Sequence, residues 1–426
     1  MGHARLSAHA DGDGVAVQAD GKHIGRRDRW HLAPVGGRCG EFGGEPAAGV
    51  AARSDVLGVI VEGCVAGRGF HWQSGHDVTL AGDLELSVVD SALMLVNVLP
   101  IEPYLEGVIT SEMSGECPRA FMRAHAVVAR SWIAAASERK HQSLGIDFCN
   151  DDCCQRYQGT AAVTPAARSA VSDTRGQVLI HRGGAVVDAN YAKCCGGITE
   201  SGDEVWGHAK SGQRGSVDAP ASDRMHAFAR VGDNNIAEYV AASIVNETRA
   251  YCSPAVVPAE VAARCLGRVD DGSTHFRWRV GYRADQLVDI LQRKGLDRIG
   301  RTGSDGIAAL RDLRVTRRAR GGRAIDLTVE YVDRDDRHRS LAIHDQYWIR
   351  HALHESFLYS SAFDVRIERD DHDRVLSVEL IGAGWGHGAG MCQVGALGMA
   401  LQGFDHSAIL AHYFDGSSVD AHGGHT

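Results

Sequence analysis

The chain has 426 residues, more than one small core holds, so two or three domains, or one core with insertions, are expected. A net charge of -9 excludes a general nucleic-acid binder, which needs a basic footprint, and 44% hydrophobic with 23% charged residues is globular composition. With 51 glycines against 9 prolines, turns and close backbone approaches are expected in a β-rich fold.

The start of the chain shows no apolar leader core, and no run of about 18 apolar residues reads as a membrane span. Residues 1–55 are glycine-rich with short strand-like pieces, and read as an irregular β region or a flexible one. From Val56 the pattern sharpens. Val56 to Glu62, Phe70 to Trp72, Leu84 to Val89 and Ala92 to Leu99 are strand-like and separated by turn residues, which predicts a small antiparallel meander. The Phe70-His71-Trp72 triplet suits either a sugar-stacking platform or a strand with its rings partly in the core.

Leu99 to Met113 then delivers an acidic residue, Glu112, to the end of an apolar segment. Glu102, placed between two prolines and read as loop, and Glu106, on a helical turn, are rival carboxylates. After Pro118, the residues Phe121, Ala124, Val128, Ser131, Trp132 and Ala135 recur at helical spacing and predict one buried stripe. Arg119, Arg123 and Arg130 share another face. That face is either simply solvated, or turns Arg123 or Arg130 towards Glu112 or an anionic substrate.

Eleven cysteines are too scattered for a small disulfide framework, but several cluster. Cys149 and Cys153 form a C-x3-C pair with His141 eight residues before Cys149 and Cys154 directly after, a spacing that suits a tetrahedral metal site. A local disulfide, or merely buried thiols, are the structural alternatives. In an oxidising compartment, Cys194 with Cys195 or Cys252 with Cys265 are candidate pairs.

Further on, Gln177 to Ile180 and Ala185 to Tyr191 read as a hairpin around Gly183-Gly184. Residues 206–310 look like an insertion with helical patches at Asp233 to Thr248 and Ala284 to Lys294. Strands return at 311–347, where Ile325, Leu327, Val329 and Tyr331 alternate, and Trp348 to His354 reads as a short helix. Between Gly382 and Gly390 five glycines alternate with other residues around His387, and a helix follows from about Met391. This is no phosphate-binding fingerprint, because the strand–turn–helix context is wrong. It reads as a stretch where a ligand lies against the backbone. His387 is a site candidate or a structural histidine bonded to the main chain.

Two separated segments resemble the sporulation stage II protein D / amidase enhancer LytB (SpoIID/LytB) family of bacterial cell-wall proteins. The first is Leu99-Pro-Ile-Glu-Pro-Tyr-Leu-Glu-Gly-Val-Ile-Thr-Ser-Glu-Met with Ala124-His-Ala-Val-Val-Ala-Arg-Ser. The second is Gly384-Trp-Gly-His-Gly-Ala-Gly-Met-Cys-Gln-Val-Gly-Ala. Cys154-Gln-Arg-Tyr-Gln-Gly and Cys195-Gly-Gly-Ile-Thr-Glu also fit family positions. The resemblance covers roughly residues 57–205 and 311–420.

The resemblance implies an α+β fold: a β-rich core with a central active-site helix, plus an inserted mixed subdomain. The expected division is 1–55, a core made of 56–205 and 311–426, and the insertion 206–310. It implies a murein lytic transglycosylase that cleaves peptidoglycan glycan strands and leaves 1,6-anhydro-muramic ends. The alternative it carries is a non-catalytic module that binds peptidoglycan and stimulates a cell-wall amidase. A zinc hydrolase built on the cysteine region is a third reading.

Glu112 matches the family's catalytic glutamate. A lytic transglycosylase needs one acid/base with a raised pKa, where ordinary glycosidases use two carboxylates. Arg123, Arg130, Tyr191, Trp385, His387 and Gln393 are the expected substrate contacts, with His387 and Gln393 across the groove from Glu112. The resemblance also implies a structural zinc on His141, Cys149 and Cys154. The family commonly has histidine where this chain has Cys153, so Cys153 either replaces that ligand or the metal is lost. No organic cofactor is implied. The substrate argues for the cell envelope, although no export signal is visible.

Overall fold

A computed structural model of the chain describes residues 73–90, 92–135, 140–267, 273–296 and 306–421, the segments 59–67 and Phe70, and backbone strands between 6 and 39. Residues 40–58, and His71 and Trp72 of the aromatic triplet, lie outside the described residues. Helices and strands are mixed and the sheets are small, as expected of an α+β protein.

The predicted meander is present in part: the strands near 59–66, 83–89 and 92–98 form, but Phe70 is in a bend and the strand expected at Phe70–Trp72 is Ser74–Leu80 instead, and the strands divide between two sheets. Val59–Ala66 pairs with Ser74–Leu80, and Asp83–Val89 sits between Arg29–Leu32 and Ala92–Val98, all antiparallel. It leads into helix α1 (Ile101–Glu112). Pro100 stands at the N-cap with extended backbone, and Pro103 falls in the first turn, where a missing N–H breaks no helical bond. Glu102 is therefore in the helix, not in a loop as its flanking prolines suggested. Leu105, Val108 and Ile109 point into the core, and Met113 ends the helix in extended conformation.

Helix α2 (Arg119–Ala135) is the centre of the first core. It packs against α1, α3 (Pro165–Asp173), the strand Gln177–His181 and the helices Gln393–Leu401 and His406–Tyr413. Phe121, Met122 and every residue from Ala124 to Ser131 are buried. Beyond the predicted stripe, Met122, His125, Ala126, Val127, Ala129 and Arg130 are buried as well, a mixture of small, apolar and polar residues that shows no second stripe in the sequence. The helix is thus enclosed along its middle turns.

The Gly183-Gly184 turn forms, but only as an isolated bridge between Ile180 and Val186. The main partner of Gln177–His181 is Ser417–Ala421. Residues between Ala219 and Phe276, with several one-turn helices, contribute Met225, Phe228, Tyr239 and Cys252 to the first core. From Trp278 to Leu380 a second core takes over. It holds the antiparallel sheet Ile307–Arg318, Ala324–Asp333 and His338–His344, and a second sheet in which Val375–Ala383 lies between Arg277–Arg283 and Phe363–Arg369. The helix Gln346–Ala352 packs on the first of these sheets. Strand Val375–Ala383 leaves the second core and runs straight into the glycine-rich stretch, which lies against the first.

Candidate functional site

The glycine-rich stretch is where the two cores meet. Gly384, Gly386, Gly388 and Gly390 all take positive φ, between 71° and 94°. A Cβ on Gly384 would sit 2.7 Å from the Cys194 carbonyl, on Gly388 2.1 Å from the Arg323 guanidinium carbon, and on Gly390 2.0 Å from the Asn190 carbonyl. At these three positions the glycines make room for the protein's own groups, whereas Gly386, with Trp385 and His387, lines the cleft described below. Cys194 bridges Trp385, Glu200 bridges Ala389, and Tyr191–Ala192 pairs in parallel with Met391–Cys392. This pairing carries His387 and Gln393 to Glu112.

Glu112 closes α1, at the end where the helix dipole is negative. Lys193 offsets it: its ammonium donates to the Glu112 carbonyl and to the Leu266 carbonyl. The carboxylate is buried. Its Oε1 accepts the Arg156 N–H at 2.9 Å and the Tyr191 hydroxyl at 3.2 Å. Its Oε2 accepts only a long bond from the Gln393 amide at 3.4 Å among those the described residues make. Burial pushes the carboxyl up, but chiefly the charges of Arg156 and Lys193, with the Arg156 N–H, outweigh it, and Glu112 rests below its ordinary value. The free protein therefore holds an ionised Glu112, whereas the apolar neighbours in the sequence predict a raised pKa. The cations that reverse it come from residues 156 and 193.

Glu112 opens on a cleft of about 620 Å³, also lined by Tyr191, Trp385, His387 and Gln393. Four of the six predicted substrate contacts are thus brought together. Arg123 and Arg130 are not among the cleft residues, and this corrects their assignment. Arg123 shares Asp173 with Arg119 on the outer face. Arg130 is buried and makes two bonds to Glu102, at 3.1 and 2.6 Å. Both rival glutamates are accounted for by cation partners, Glu102 by Arg130 and Glu106 by Arg168 at 3.5 Å.

His387 is neutral. Its Nδ1 accepts the Ala389 N–H at 3.1 Å, which leaves the proton on Nε2. Burial, with the charges of Arg323 and Arg350, pushes it down to about 3. It is both main-chain bonded and a cleft residue, so the two readings of this histidine coincide.

Several cleft residues escaped the sequence reading. Trp132, Trp206, Tyr347 and Trp348 add aromatic walls. Trp206 lies 5.0 Å from the His387 ring. Trp132 sits at the edge of the predicted buried stripe and is only half-buried, a hint that it faces a groove. Asp151, Asp152 and Asp345 are further cleft carboxylates, of which Asp152 is pushed up to about 6 by burial and the neighbouring negative charges despite Arg156. His125 lies behind Tyr191, ring edge to face at 4.9 Å, and burial pushes it down to about 4.

Along the cleft rim, His141, Cys149, Cys153 and Cys154 bring four donor atoms within 4.8 Å of one another. Cys153 Sγ lies 3.0 Å from Cys149 Sγ and 3.4 Å from His141 Nε2. Three thiols and one imidazole fit a tetrahedral Cys3His zinc site, and the fit comes from Cys153 joining the set. The described cysteines are free thiols, and the nearest neighbours of the expected partners differ from those expected from sequence. Cys252 lies by Cys195, at 3.5 Å, and Cys265 by Cys117, whose thiol reaches its carbonyl.

Residues 89–181 match the family model described as Stage II sporulation protein, SpoIID. The chain carries a SpoIID-family domain. The match holds α1, α2 and the Cys149–Cys154 segment, and so contains Glu112. A second match, to a domain of unknown function (DUF8618), spans residues 259–390 and takes in most of the second core and His387. An uncharacterized protein of Brachyspira hyodysenteriae is 30% identical over 156 residues, 36% of this chain. The chain spans 41% of the length of that curated relative. The SpoIID match points to a cell-wall-related role; among the cleft residues it includes Glu112, Trp132 and Asp152, while Tyr191, Trp385, His387 and Gln393 lie outside it.

Proposed function

We propose that this protein is a peptidoglycan lytic transglycosylase of the cell envelope, with Glu112 as its single acid/base. One observation carries the reading: a buried carboxylate that lines an aromatic-walled cleft, its Oε1 held by two donors and its Oε2 by a single long bond. Aromatic rings suit the apolar faces of sugars, and a cleft of this kind accepts a polymer.

The residues divide the work as follows. Glu112 Oε2, protonated, gives its proton to the glycosidic oxygen as the bond from C1 of N-acetylmuramic acid breaks. The muramic C6 hydroxyl then bonds to C1, and its proton returns to Glu112 Oε2, which closes the 1,6-anhydro ring. No water is consumed. Arg156 N–H and the Tyr191 hydroxyl fix the carboxylate plane, the Gln393 amide reaches its other oxygen, and His387 lines the same cleft. Because Glu112 rests below its ordinary value in the free protein, the acid form has to be gained when glycan fills the cleft and excludes water. Turnover should therefore rise as pH falls from 7 towards 5.

Zinc bound by His141, Cys149, Cys153 and Cys154 would fix the loop that supplies Cys153, Cys154 and Arg156 to the cleft wall. Its role in this reading is structural.

The ionised Glu112 favours a second reading, a module that binds glycan and stimulates an amidase without cutting. Digestion of peptide-stripped murein glycan separates them. Wild type is expected to release anhydro-muropeptides, and Glu112→Gln to lose about 100- to 10,000-fold in rate while still binding. Wild-type protein that binds glycan and releases no anhydro ends refutes the enzyme and leaves the module.

A further inference from the structure

Beyond the cleft, the first core encloses a second group of metal-ligating side chains. Cys195, Asp218, Cys252 and Cys392 are fully buried, and their donor atoms all lie within 4.8 Å of one another. They come from four distant parts of the chain. Cys195 Sγ lies 3.1 Å from Asp218 Oδ2 and 3.5 Å from Cys252 Sγ. In a tetrahedral zinc–thiolate centre neighbouring sulfurs stand roughly 3.8 Å apart, so the donors need only a small adjustment to close on one ion. A disulfide between Cys195 and Cys252 would need them to approach to about 2.05 Å.

The surroundings fit ligands rather than inert thiols. Cys392 Sγ accepts N–H groups from Cys195 at 3.1 Å and Gly395 at 3.2 Å, and Cys195 Sγ accepts one from Gly197 at 3.3 Å. Hydrogen bonds of this kind support negative sulfur. Asp218 turns one oxygen to the sulfurs, while the other is held by Tyr413 at 2.8 Å and His412 at 3.1 Å. Outer hydrogen bonds that orient a ligand in this way are the usual second shell of a metal site. Gly395 has no Cβ because one would stand 2.3 Å from both Asp218 Oδ2 and the Tyr413 hydroxyl. Arg277, bonded to the carbonyls of Gly196 and Tyr239, brings positive charge to the loop that carries Cys195.

We propose that Cys195, Cys252, Cys392 and Asp218 form a buried structural zinc site, separate from the His141 and Cys149 group. On binding, the three thiols release their protons and Zn²⁺ replaces them. The ion enters during folding, because the four residues are closed to solvent once the core has formed. Cys194 contacts Cys252 and Cys392 but falls outside the four-donor group.

The test is metal content per chain in full-length protein made with zinc and purified under reductant without chelator. The variant Cys149→Ser/Cys153→Ser, which disables the rim site, is expected to keep one zinc. Refolded with cobalt(II) alone, it should show the thiolate-to-cobalt charge-transfer bands of a tetrahedral centre. Adding Cys252→Ser should abolish both signals. The rim-site variant decides the matter even where Cys252→Ser fails to fold, since it leaves the buried residues intact. A rim-site variant with no metal and no cobalt bands overturns the proposal. So does a Cys195–Cys252 disulfide peptide from protein denatured in a thiol-blocking reagent.

Discussion

Replacing Gly388 by alanine tests how the glycine-rich stretch is held. Gly388 has φ +78°, a left-handed conformation that costs an L-residue roughly 1–2 kcal/mol. Its Cβ would also lie 2.1 Å from Arg323 Cζ and 2.4 Å from both terminal nitrogens. Arg323 is fully buried, 3.8 Å from the equally buried Glu200, so the guanidinium has no free space to enter. Displacing it breaks a buried pair, which typically costs about 3–5 kcal/mol. Together the loss is about 4–7 kcal/mol, a large share of the stability of an ordinary domain. Gly386→Ala is the control. Its φ is +94°, but the nearest atom to its Cβ is the Ala192 methyl at 3.1 Å, so only the conformational cost and a slight adjustment apply. Urea unfolding followed by tryptophan fluorescence should place Gly388→Ala well below Gly386→Ala. Equal losses for the two variants would refute the steric account and leave backbone conformation as the sole cause.

Three further outcomes are expected. His125, lowered from 6.5 to about 4, binds fewer protons folded than unfolded, so its contribution is present above pH 6.5 and lost as pH falls towards 4. At pH 5 the loss is about 2 kcal/mol, and His125→Phe should remove it; Asp152, raised to about 6, acts in the opposite sense, so the readout is the difference in melting between wild type and variant at pH 7 and pH 5. Arg130→Ala should cost about 3–5 kcal/mol in denaturant by leaving Glu102 charged and buried, yet leave glycan affinity unchanged in a pull-down below the melting range, because Arg130 does not line the cleft. Trp206→Ala should weaken glycan binding by about 0.5–1.5 kcal/mol with little effect on stability, measured by calorimetry on a soluble glycan; unchanged affinity would remove this ring from the sugar path.

The sequence shows best what its own spacing encodes. The helical repeat after Pro118, the alternation in Ala324–Asp333 and the His141–Cys154 cluster are local patterns, and each is where the spacing places it. Glu112 with His387 and Gln393 depends on two segments far apart, and motif resemblance joined them where periodicity could not. What stayed hidden depends on partners from elsewhere in the chain. Arg130 looks like any helix-face arginine until Glu102 is brought beside it. The pKa of Glu112 follows apolar neighbours in sequence but Arg156 and Lys193 in space. The alternating glycines announce close approach without saying to what, and the answer is Cys194, Arg323 and Asn190. Cys252 gives no hint of Cys195, since neither spacing nor pattern links residues 57 apart.

Glu112 and Gln393 are 281 residues apart, and the bridges from Cys194 to Trp385 and from Glu200 to Ala389 span 191 and 189 residues. Contacts this remote in sequence form late in folding, since the intervening loop must close before any of them contributes. During synthesis, α1 and α2 emerge well before Trp385, His387 and Gln393, which line the cleft with Glu112. A nascent chain thus has its carboxylate long before it has a groove. The pairing of Tyr191–Ala192 with Met391–Cys392 works as a completion check: the cleft exists only once the chain has been made and folded through Cys392.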